Sequence, residues 1–431
     1  MSDTDFNLPE GTHTVVLGTG DLNGIMRGKR IPASHWDTIC KSGNAFSIAL
    51  YAIDMTCDVW DTPYVSFDNG YPDFHLFPLE KPVSIPWEPG VAIAMGRAEG
   101  MDHKPVPLDP RNALIAQVER AAAMGYEVNV GTELEFYLLD PETKKPRDNG
   151  IGVYGLDRAA ELEHVLGPIR QQINEMGIPI EQSNPEYAAG QVEVNLRYGP
   201  ALAAADRLVM FRSLVKQLAA RHGYMATFMA KPFFEESGNG FHTHYSLWKD
   251  GTNAFADSGN LSTTGLGFLA GMQTKMAEMS ICGATTPNAY RRFQAFSFCP
   301  TNTTWGVDNR TVGLRVILGS DNAIRVEKRN GSADCNPYLH LAAEIAAGLD
   351  GIEQGLTPTA ETTGNGYLDE EATPLPTDLG TAIELARGSD WLKGVLGETM
   401  FEILLQQSER EVEFIAAQVT PVELDRYLTN F

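Results

Sequence analysis

Hydrophobic and polar residues alternate with a period of two along some segments of the chain and recur every three to four residues along others. The alternating segments predict strands near residues 126–139, 190–198, 224–233, 240–248, 311–317 and 323–329. The segments with the longer period predict helices near residues 110–124, 157–177, 200–222 and 335–354, with a helical tail from about 377 to 429. The chain is therefore predicted to contain both strands and helices.

The chain also divides by composition. Residues 1–100 contain short alternating runs such as HTVVLG, interrupted by Gly, Pro and Asp, which is typical of a small β-rich unit. A Pro-rich stretch from Lys104 to Pro110 follows and indicates a linker. Asp109-Pro110 then begins a helix, because proline suits the first helical position. We therefore predict two domains, at residues 1–103 and 104–431.

Charge and composition exclude several classes of protein. The 33 basic and 56 acidic residues give a net charge of -23, which disfavours nucleic acid as a partner. The five cysteines are an odd number without a C-x-x-C pair, so we expect reduced thiols. The opening MSDTDFNLPEG has no basic start and no apolar run, and the chain has no long apolar stretch. These features predict a soluble cytoplasmic protein with no membrane span.

Four predicted strands carry acidic, imidazole or guanidinium groups on one face. Side chains at alternate positions of a strand point the same way. A single amphipathic strand is ordinary, but carboxylates in mid-strand have poor β-propensity, so four such strands indicate a site. The residues that share a face are Glu133 and Glu135; Gln191, Glu193, Asn195 and Arg197; His242, His244 and Ser246; and Arg325, Glu327 and Arg329.

Oxygen ligands with a single histidine suit Mg²⁺ or Mn²⁺ better than zinc. Several arginines accompany them, as phosphate recognition requires. The chain contains no Walker A sequence and no G-x-G-x-x-G after a strand, so a nucleotide would be held in another way. The residues alone leave a two-metal phosphotransferase or a hydrolase open. The arginines are Arg292, Arg310, Arg315, Arg325 and Arg329.

At these same segments the chain resembles the glutamine synthetase family. The resemblance implies an α+β fold, with an N-terminal β-grasp-like domain and a catalytic domain that has an antiparallel active-site sheet flanked by helices. It also implies a homo-oligomer of stacked rings, a dodecamer, with active sites between subunits. The matching segments follow the family's order and are TELEFYLL, the stretch from Glu186 to Asn195, the stretch from AADRLVMF to FHTHYSLW, NAYRRF, WGVDNRTVGLRV, RVEKR and NPYLHLAAEIAAGLDGIE.

The resemblance implies two metal ions and an ATP site. The metal near glutamate would be held by Glu135, Glu186 and Glu193, and the metal near the ATP phosphates by Glu133, His242 and Glu327. The ATP contacts would be His244, Ser246 and Arg315, although a structural role for His244 stays open.

The remaining implied positions concern glutamate and the amine. Arg292, Arg329 and Gly238 would bind glutamate, and Arg310 would act on the transferring phosphate. Asp54 would be lent to the amine site by a neighbouring subunit, although D-M-T-C stands where the family has D-G-S-S. Tyr154 would lie at the amine, and Glu186 or Asp54 would take its proton. The implied reaction phosphorylates the γ-carboxylate of L-glutamate with ATP, and an amine then displaces phosphate.

One departure from the family concerns the amine. Glutamine synthetases carry a Glu just before an Ala-Pro, and it binds ammonium. Here the stretch runs NAYRRFQAFSFCP and puts Phe298 at that position. A phenyl ring accepts no proton but packs against alkyl groups and attracts cations. The stretch from Asp21 to Pro32 likewise resembles the γ-glutamyl amide ligase branch, which includes γ-glutamylmethylamide and γ-glutamylpolyamine synthetases.

Methylamine is therefore the expected amine. Ethylamine, isopropylamine, ethanolamine and putrescine remain open alternatives. A glutamine synthetase that uses ammonia is a further alternative, with Phe298 merely filling a loop. A structural or regulatory protein that has lost activity is disfavoured, because all six implied metal-ligand positions keep Glu or His.

Overall fold

Two large β-sheets form the frame of the computed structural model, which describes residues 6–147, 150 and 152–431. The first sheet has the strand order β2-β1-β6-β4-β3, with β5 paired to β6. Within it β1 runs parallel to β6, and the other pairs are antiparallel. Its elements are β1 (Thr14–Gly20), β2 (Met26–Pro32), α1 (Trp36–Ser42), β3 (Asn44–Ser47), β4 (Asp73–Pro78), β5 (Val83–Ser84) and β6 (Val91–Glu99).

The second sheet has nine strands, and its continuous order is β15-β16-β17-β11-β7-β9-β8. Its strand pairs are antiparallel except for the edge pair β15 and β16, which is parallel. This architecture confirms the predicted α+β fold with an antiparallel sheet. Its strands in chain order are β7 (Glu127–Leu139), β8 (Ile180–Pro185), β9 (Gln191–Pro200), β10 (Met225–Thr227), β11 (Gly240–Lys249), β12 (Thr252–Asn253), β15 (Trp305–Val307), β16 (Leu314–Ile317) and β17 (Arg325–Ser332). A separate two-stranded sheet is formed by β13 (Ala256–Asp257) and β14 (Asn260–Leu261).

The remaining helices follow the first sheet in sequence. Within the described residues, no helix combines the length and the apolar character needed to cross a membrane. The helices are α2 (Arg111–Ala123), α3 (Leu156–Glu175), α4 (Ala201–Arg221), α5 (Thr263–Lys275), α6 (Ser280–Gly283), α7 (Pro337–Glu353), α8 (Leu379–Arg387), α9 (Asp390–Leu396), α10 (Glu398–Ala416) and α11 (Pro421–Tyr427).

Helix α5 was not predicted, because its sequence TTGLGFLAGMQTK is rich in glycine, which weakens helical propensity. The structure explains these glycines by close packing against α7. A Cβ on Gly271 would lie 1.9 Å from the carbonyl oxygen of Ala347, and one on Gly351 would lie 2.0 Å from that of Gly267. Only residues without a side chain allow the two backbones to approach so closely.

Two predicted strands are wrong in part. The strand predicted at 224–233 ends at Thr227, because the N–H of Lys231 donates to the side chain of Asn288 and Pro232 has no N–H to donate. The strand predicted at 311–317 begins at Leu314, because the N–H of Thr311 donates to the Asn309 side chain. In both segments a backbone N–H donates to an asparagine side chain and not to a neighbouring strand.

The first sheet packs against helices of the second part of the chain. A Cβ on Gly20, at the end of β1, would lie 3.0 Å from Tyr338 of α7 and 3.3 Å from Val209 of α4. The buried hydrophobic cluster accordingly runs without interruption from one part of the chain to the other. The Lys104–Pro110 stretch separates the two sheets in sequence, and the domain boundary at 103/104 stays a prediction.

Candidate active site

The strand register brings the polar faces of β7, β9, β11 and β17 together at the centre of the second sheet. On β7, Leu134 and Phe136 are buried on one face, so Glu133 and Glu135 share the other. Neighbouring strands then place acidic and imidazole side chains side by side. The directly paired residues are Glu135 with Glu193, Glu133 with His242, and His244 with Glu327.

These six residues and Glu186, hereafter the ligand cluster, contain three sets whose candidate ligand atoms lie within 4.8 Å of one another. The set predicted for the metal near glutamate appears intact. The set that contains Glu133 and Glu327 includes His244, although the resemblance matched His244 to the nucleotide. Its Nε2 lies 3.1 Å from Oε1 of Glu133. The three sets are Glu135, Glu186 and Glu193; Glu133, Glu193 and His242; and Glu133, His244 and Glu327.

One end of the ligand cluster has an excess of negative charge. Burial and the carboxylates of Glu133 and Glu135 raise the pKa of Glu193 to about 9. Burial and the Glu135 carboxylate likewise raise the pKa of Glu186 to about 7, although Asn184 donates to its Oε1 at 3.0 Å. Carboxylates that repel each other without a cationic partner require a cation to ionise together, so this end fits a divalent metal.

The other end is held ionised by its neighbours. Burial opposes ionisation of Glu133, but hydrogen bonds and charge from His242 and His244 outweigh it and hold that pKa well below its usual value. Burial also opposes ionisation of Glu327, but His244, Arg329 and His242 lower its pKa to about 2. Both carboxylates are therefore available as anionic ligands at neutral pH.

Arginines lie beside Glu327 and His244 at this end of the ligand cluster. Nη1 of Arg329 donates to Glu327 Oε1 at 2.5 Å, and Nη1 of Arg315 donates to Oε2 at 3.0 Å. Nε of Arg325 lies 3.3 Å from Nδ1 of His244. Cationic groups beside ionised ligands suit the binding of phosphate oxygens. Oxygen donors with imidazole match the preferences of Mg²⁺ or Mn²⁺, so the donor set fits either ion.

Arg292 approaches the ligand cluster from the adjacent loop. A Cβ on Gly238 would lie 2.5 Å from Cγ of Arg292, so only glycine allows this contact. The guanidinium donates through Nη1 to the carbonyl oxygen of Gly331 at 2.7 Å and to Ser332 Oγ at 2.9 Å. A Cβ on Gly240 would lie 3.1 Å from both Arg292 Nη2 and His242 Nε2. Arg292 therefore adjoins the ligand cluster, and the glutamate-binding role that the resemblance implies for it stays a prediction.

Tyr154 and Arg310 lie at the exposed side of the ligand cluster. The side chain of Tyr154 is exposed, and its N–H donates to the carbonyl oxygen of Pro185, next to Glu186, at 3.2 Å. Burial and the charge of Glu186 raise the pKa of Tyr154, and the charge of Arg310 opposes that shift. Arg310 is exposed. Ser246, predicted at the nucleotide, accepts from Trp248 Nε1 at 2.9 Å.

Phe298 lies in a loop with left-handed backbone. Its φ is 59°, and its side chain is 62% exposed. Such φ values are rare for bulky residues and persist where the surroundings impose them. Here Ser297 Oγ donates to the carbonyl oxygen of Arg292 at 3.3 Å. Burial raises the pKa of Cys299, and the charges of Arg292 and Glu135 act on it too, so this loop adjoins the ligand cluster.

Asp54 lies apart from the ligand cluster in its own chain. Its Oδ1 accepts from the N–H groups of Thr56 at 2.8 Å and Asp58 at 3.0 Å. Burial acts to raise its pKa, but these hydrogen bonds and the charge of Arg410 outweigh burial and lower it. Among the residues that the structure describes, Asp54 shares no hydrogen bond or ion pair with the ligand cluster. Its predicted role at the amine site stays a prediction.

Two residues beside the site were not singled out from the sequence. The side-chain amide of Asn184 donates to Oε1 of Glu186. Asp308 accepts from Nη2 of Arg315 at 2.5 Å. Asn184 precedes a proline, a turn signal that could have indicated an ordered loop before Glu186. Asp308 carries no comparable signal, because its partner is fixed only by the fold of the loop before β16.

The chain is similar to known proteins over most of its length. The family profile described as "Glutamine synthetase, catalytic domain" matches residues 107–427. The glutamate–isopropylamine ligase of Pseudomonas sp is 34% identical, over 98% of this chain and 96% of that protein. The gamma-glutamylethanolamide synthetase GlnA4 of Streptomyces coelicolor is 36% identical, over 96% of this chain and 92% of that protein. The solved GmaS/ADP complex has a TM-score of 0.87 and 30% identity, with 97% of each chain covered.

Proposed function

Because this chain belongs to the glutamine synthetase family, and there to the γ-glutamyl amide ligase branch, we propose that it joins an alkylamine to the γ-carboxylate of L-glutamate using ATP. Methylamine is the leading candidate for the amine. The observation that carries the proposal is the ligand cluster with its three sets of metal-ligating atoms beside Arg292. Relatives whose names specify isopropylamine and ethanolamine support an amine larger than ammonia.

The chemistry follows from the poor reactivity of a carboxylate towards an amine. A γ-carboxylate oxygen of glutamate attacks the γ-phosphorus of ATP, which releases ADP and leaves γ-glutamyl phosphate. The neutral amine then attacks the acyl carbon, and the C–O bond to phosphate breaks as the amide forms. The amine loses one proton in this step, and Asp54 of a neighbouring subunit or Glu186 accepts it.

Different residues act on glutamate, the phosphoryl group, ATP and the metal ions in this proposal. Arg292 and Arg329, with the backbone at Gly238, bind the glutamate, and Arg310 offsets charge on the phosphoryl group as it moves. Ser246 and Arg315 contact ATP. Bound Mg²⁺ or Mn²⁺ would neutralise phosphate and carboxylate charge. The set of Glu135, Glu186 and Glu193 would hold one ion, and Glu133, Glu327 and the two histidines the other.

Phe298 and Tyr154 form the amine site in this proposal. An ammonium ion has four N–H donors and favours a site with a carboxylate, whereas methylammonium has three and a methyl group to bury. An aromatic ring packs against that methyl group and attracts the cation. The left-handed backbone of Phe298 and its exposed ring support a role beyond packing.

A measurement of ADP release distinguishes an active ligase from a structural or regulatory protein without activity. We expect ADP release by the purified protein with Mg²⁺, ATP and L-glutamate to rise strongly when methylamine is added. ADP release with D-glutamate in place of L-glutamate should stay at background, which controls for stray ATPase. A protein that binds Mg²⁺ but releases no ADP with any amine or ammonia would be a structural or regulatory member of the family.

We further propose that the active protein is a ring-forming homo-oligomer in which Asp54 serves a neighbour's site. Asp54→Ala and Arg310→Ala subunits should each be nearly inactive. After mixing and reassembly, some interfaces would combine an intact Asp54 with an intact Arg310, so we expect activity to return to roughly a quarter of wild type. The measurement is ADP release by verified mixed oligomers. Mixed oligomers with no recovered activity would contradict the shared site.

A further inference from the structure

A buried charged network lies behind the ligand cluster and has no part in the chemistry above. Its centre is Glu344 of α7, which is 0% exposed and whose Oε1 lies 2.5 Å from Nζ of Lys328 on β17. Thr243 Oγ1 donates to Glu344 Oε2 at 2.9 Å, and the Tyr245 hydroxyl donates to the same oxygen. Nε2 of His340 lies 3.0 Å from Oε1. One helix is thereby tied to both β11 and β17.

The anchored residues alternate with site residues along the same strands. On β11, Thr243 lies between His242 and His244, and on β17, Lys328 lies between Glu327 and Arg329. Adjacent residues of a strand point to opposite faces of the sheet. The network therefore fixes from behind the backbone that presents these side chains in front.

The strand pairing is irregular at this point. Thr243 pairs with Lys328 and Phe241 with Gly331, so two steps along β11 match three along β17. A bulge of this kind leaves a residue outside the ladder, bends the strand and re-aims side chains. The contact of Lys328 with Glu344 lies next to this interruption of the ladder, between Glu327 and Arg329.

A contribution to stability does not explain the network. A buried ion pair loses most of its Coulomb attraction to desolvation, and apolar replacements of both partners are often tolerated. We propose that Glu344 and Lys328 are positioning residues for the metal and phosphate end of the site, which is formed by Glu133, the histidines and Glu327. The inference rests on the proposed function, because it assumes that this end binds a metal ion.

The test is the double variant Lys328→Met/Glu344→Gln, which removes both charges with little change in shape. The control is Arg111→Met/Asp206→Asn, which removes an ion pair 2.8 Å apart between buried Arg111 of α2 and half-buried Asp206 of α4. Asp206 also accepts from the hydroxyl of Tyr338. Mn²⁺ binding is followed by electron paramagnetic resonance, with KM for ATP measured in parallel. Outer partners of metal ligands typically change affinity by about 10–100-fold.

We expect the double variant to weaken one class of Mn²⁺ site at least tenfold and to raise KM for ATP. The other class of Mn²⁺ site should stay near wild type, because Glu135 and Glu193 lie on β7 and β9. The control variant should bind Mn²⁺ as wild type does. Equal Mn²⁺ binding in the two double variants would overturn the inference, whereas a wild type that binds no Mn²⁺ would overturn the proposed function instead.

A second variant covers failure of the first to fold. Tyr245→Phe keeps the ring in the core and removes only the hydroxyl that donates to Glu344. We expect it to weaken the same class of Mn²⁺ site several-fold and to raise KM for ATP. Unchanged Mn²⁺ binding in a folded Tyr245→Phe protein would overturn the positioning role.

Discussion

Glu135→Ala is expected to lower kcat at least about a thousandfold while the protein stays folded. Glu135 lies between Glu133 and Glu193 and belongs to the set of three carboxylates proposed to hold one metal ion. Its loss removes one ligand. It also removes the acceptor of the Gly240 N–H but relieves repulsion among the remaining carboxylates, so activity should fall far more than stability. Glu327→Ala should have an equally large effect, because it removes the carboxylate between Arg315 and Arg329.

The matched control is Glu127→Ala, which removes an exposed carboxylate from the start of the same strand. It should leave kcat within about twofold of wild type, since exposed substitutions far from a site change little. ADP release and thermal unfolding of the three variants are the measurements. Near-normal turnover by folded Glu135→Ala or Glu327→Ala protein would refute the two-metal assignment.

Phe298→Glu is expected to move the preference of the protein from methylamine towards ammonia. Burying a methyl group contributes roughly 0.8 kcal/mol, and one-carbon differences typically discriminate by about 1–3 kcal/mol. Ammonium in a site without an acidic acceptor also keeps an unmet desolvation cost. The two effects act in the same direction, so the wild type should favour methylamine and the variant should lose most of that preference.

Phe296→Glu supplies a close control for this variant. Phe296 lies two residues away in the same loop, is 69% exposed and also has a positive φ, of 66°. The added charge and any disturbance of the loop are therefore similar, but the position is not the one matched to the amine. The ratio of kcat/KM values for the two amines should change in Phe298→Glu and not in Phe296→Glu. Equal changes in both would show that the loop, and not the ring, sets the preference.

Local pattern was sufficient to predict the faces of the strands. Alternation along a strand determines which side chains share a face, and Glu133, Glu135 and Glu193 followed from it. The same rule could not predict which strands are neighbours, because pairing depends on contacts distant in sequence. That β11 lies between β7 and β17, so that His244 meets both Glu133 and Glu327, is known only from the fold.

Features that depend on tertiary contacts could not be predicted from the local sequence pattern. Helix α5 is glycine-rich because α7 packs closely against it. Its low helical propensity is the reason that it was not predicted. Glu186 lies outside any periodic segment, and only the resemblance to a family singled it out. The pairing of Lys328 with Glu344 joins a strand to a helix and leaves no local signal, since each residue alone is an ordinary polar interruption.

A competition between amines tests the central claim most directly. The wild-type protein is given ATP, Mg²⁺, L-glutamate and equal concentrations of methylamine and ammonia, and the two amide products are quantified by mass spectrometry. The proposed function predicts that γ-glutamylmethylamide exceeds glutamine by roughly ten- to a few hundred-fold, the ratio of the two kcat/KM values. Glutamine as the main product would make this protein a glutamine synthetase in the narrow sense and contradict the proposed role of Phe298.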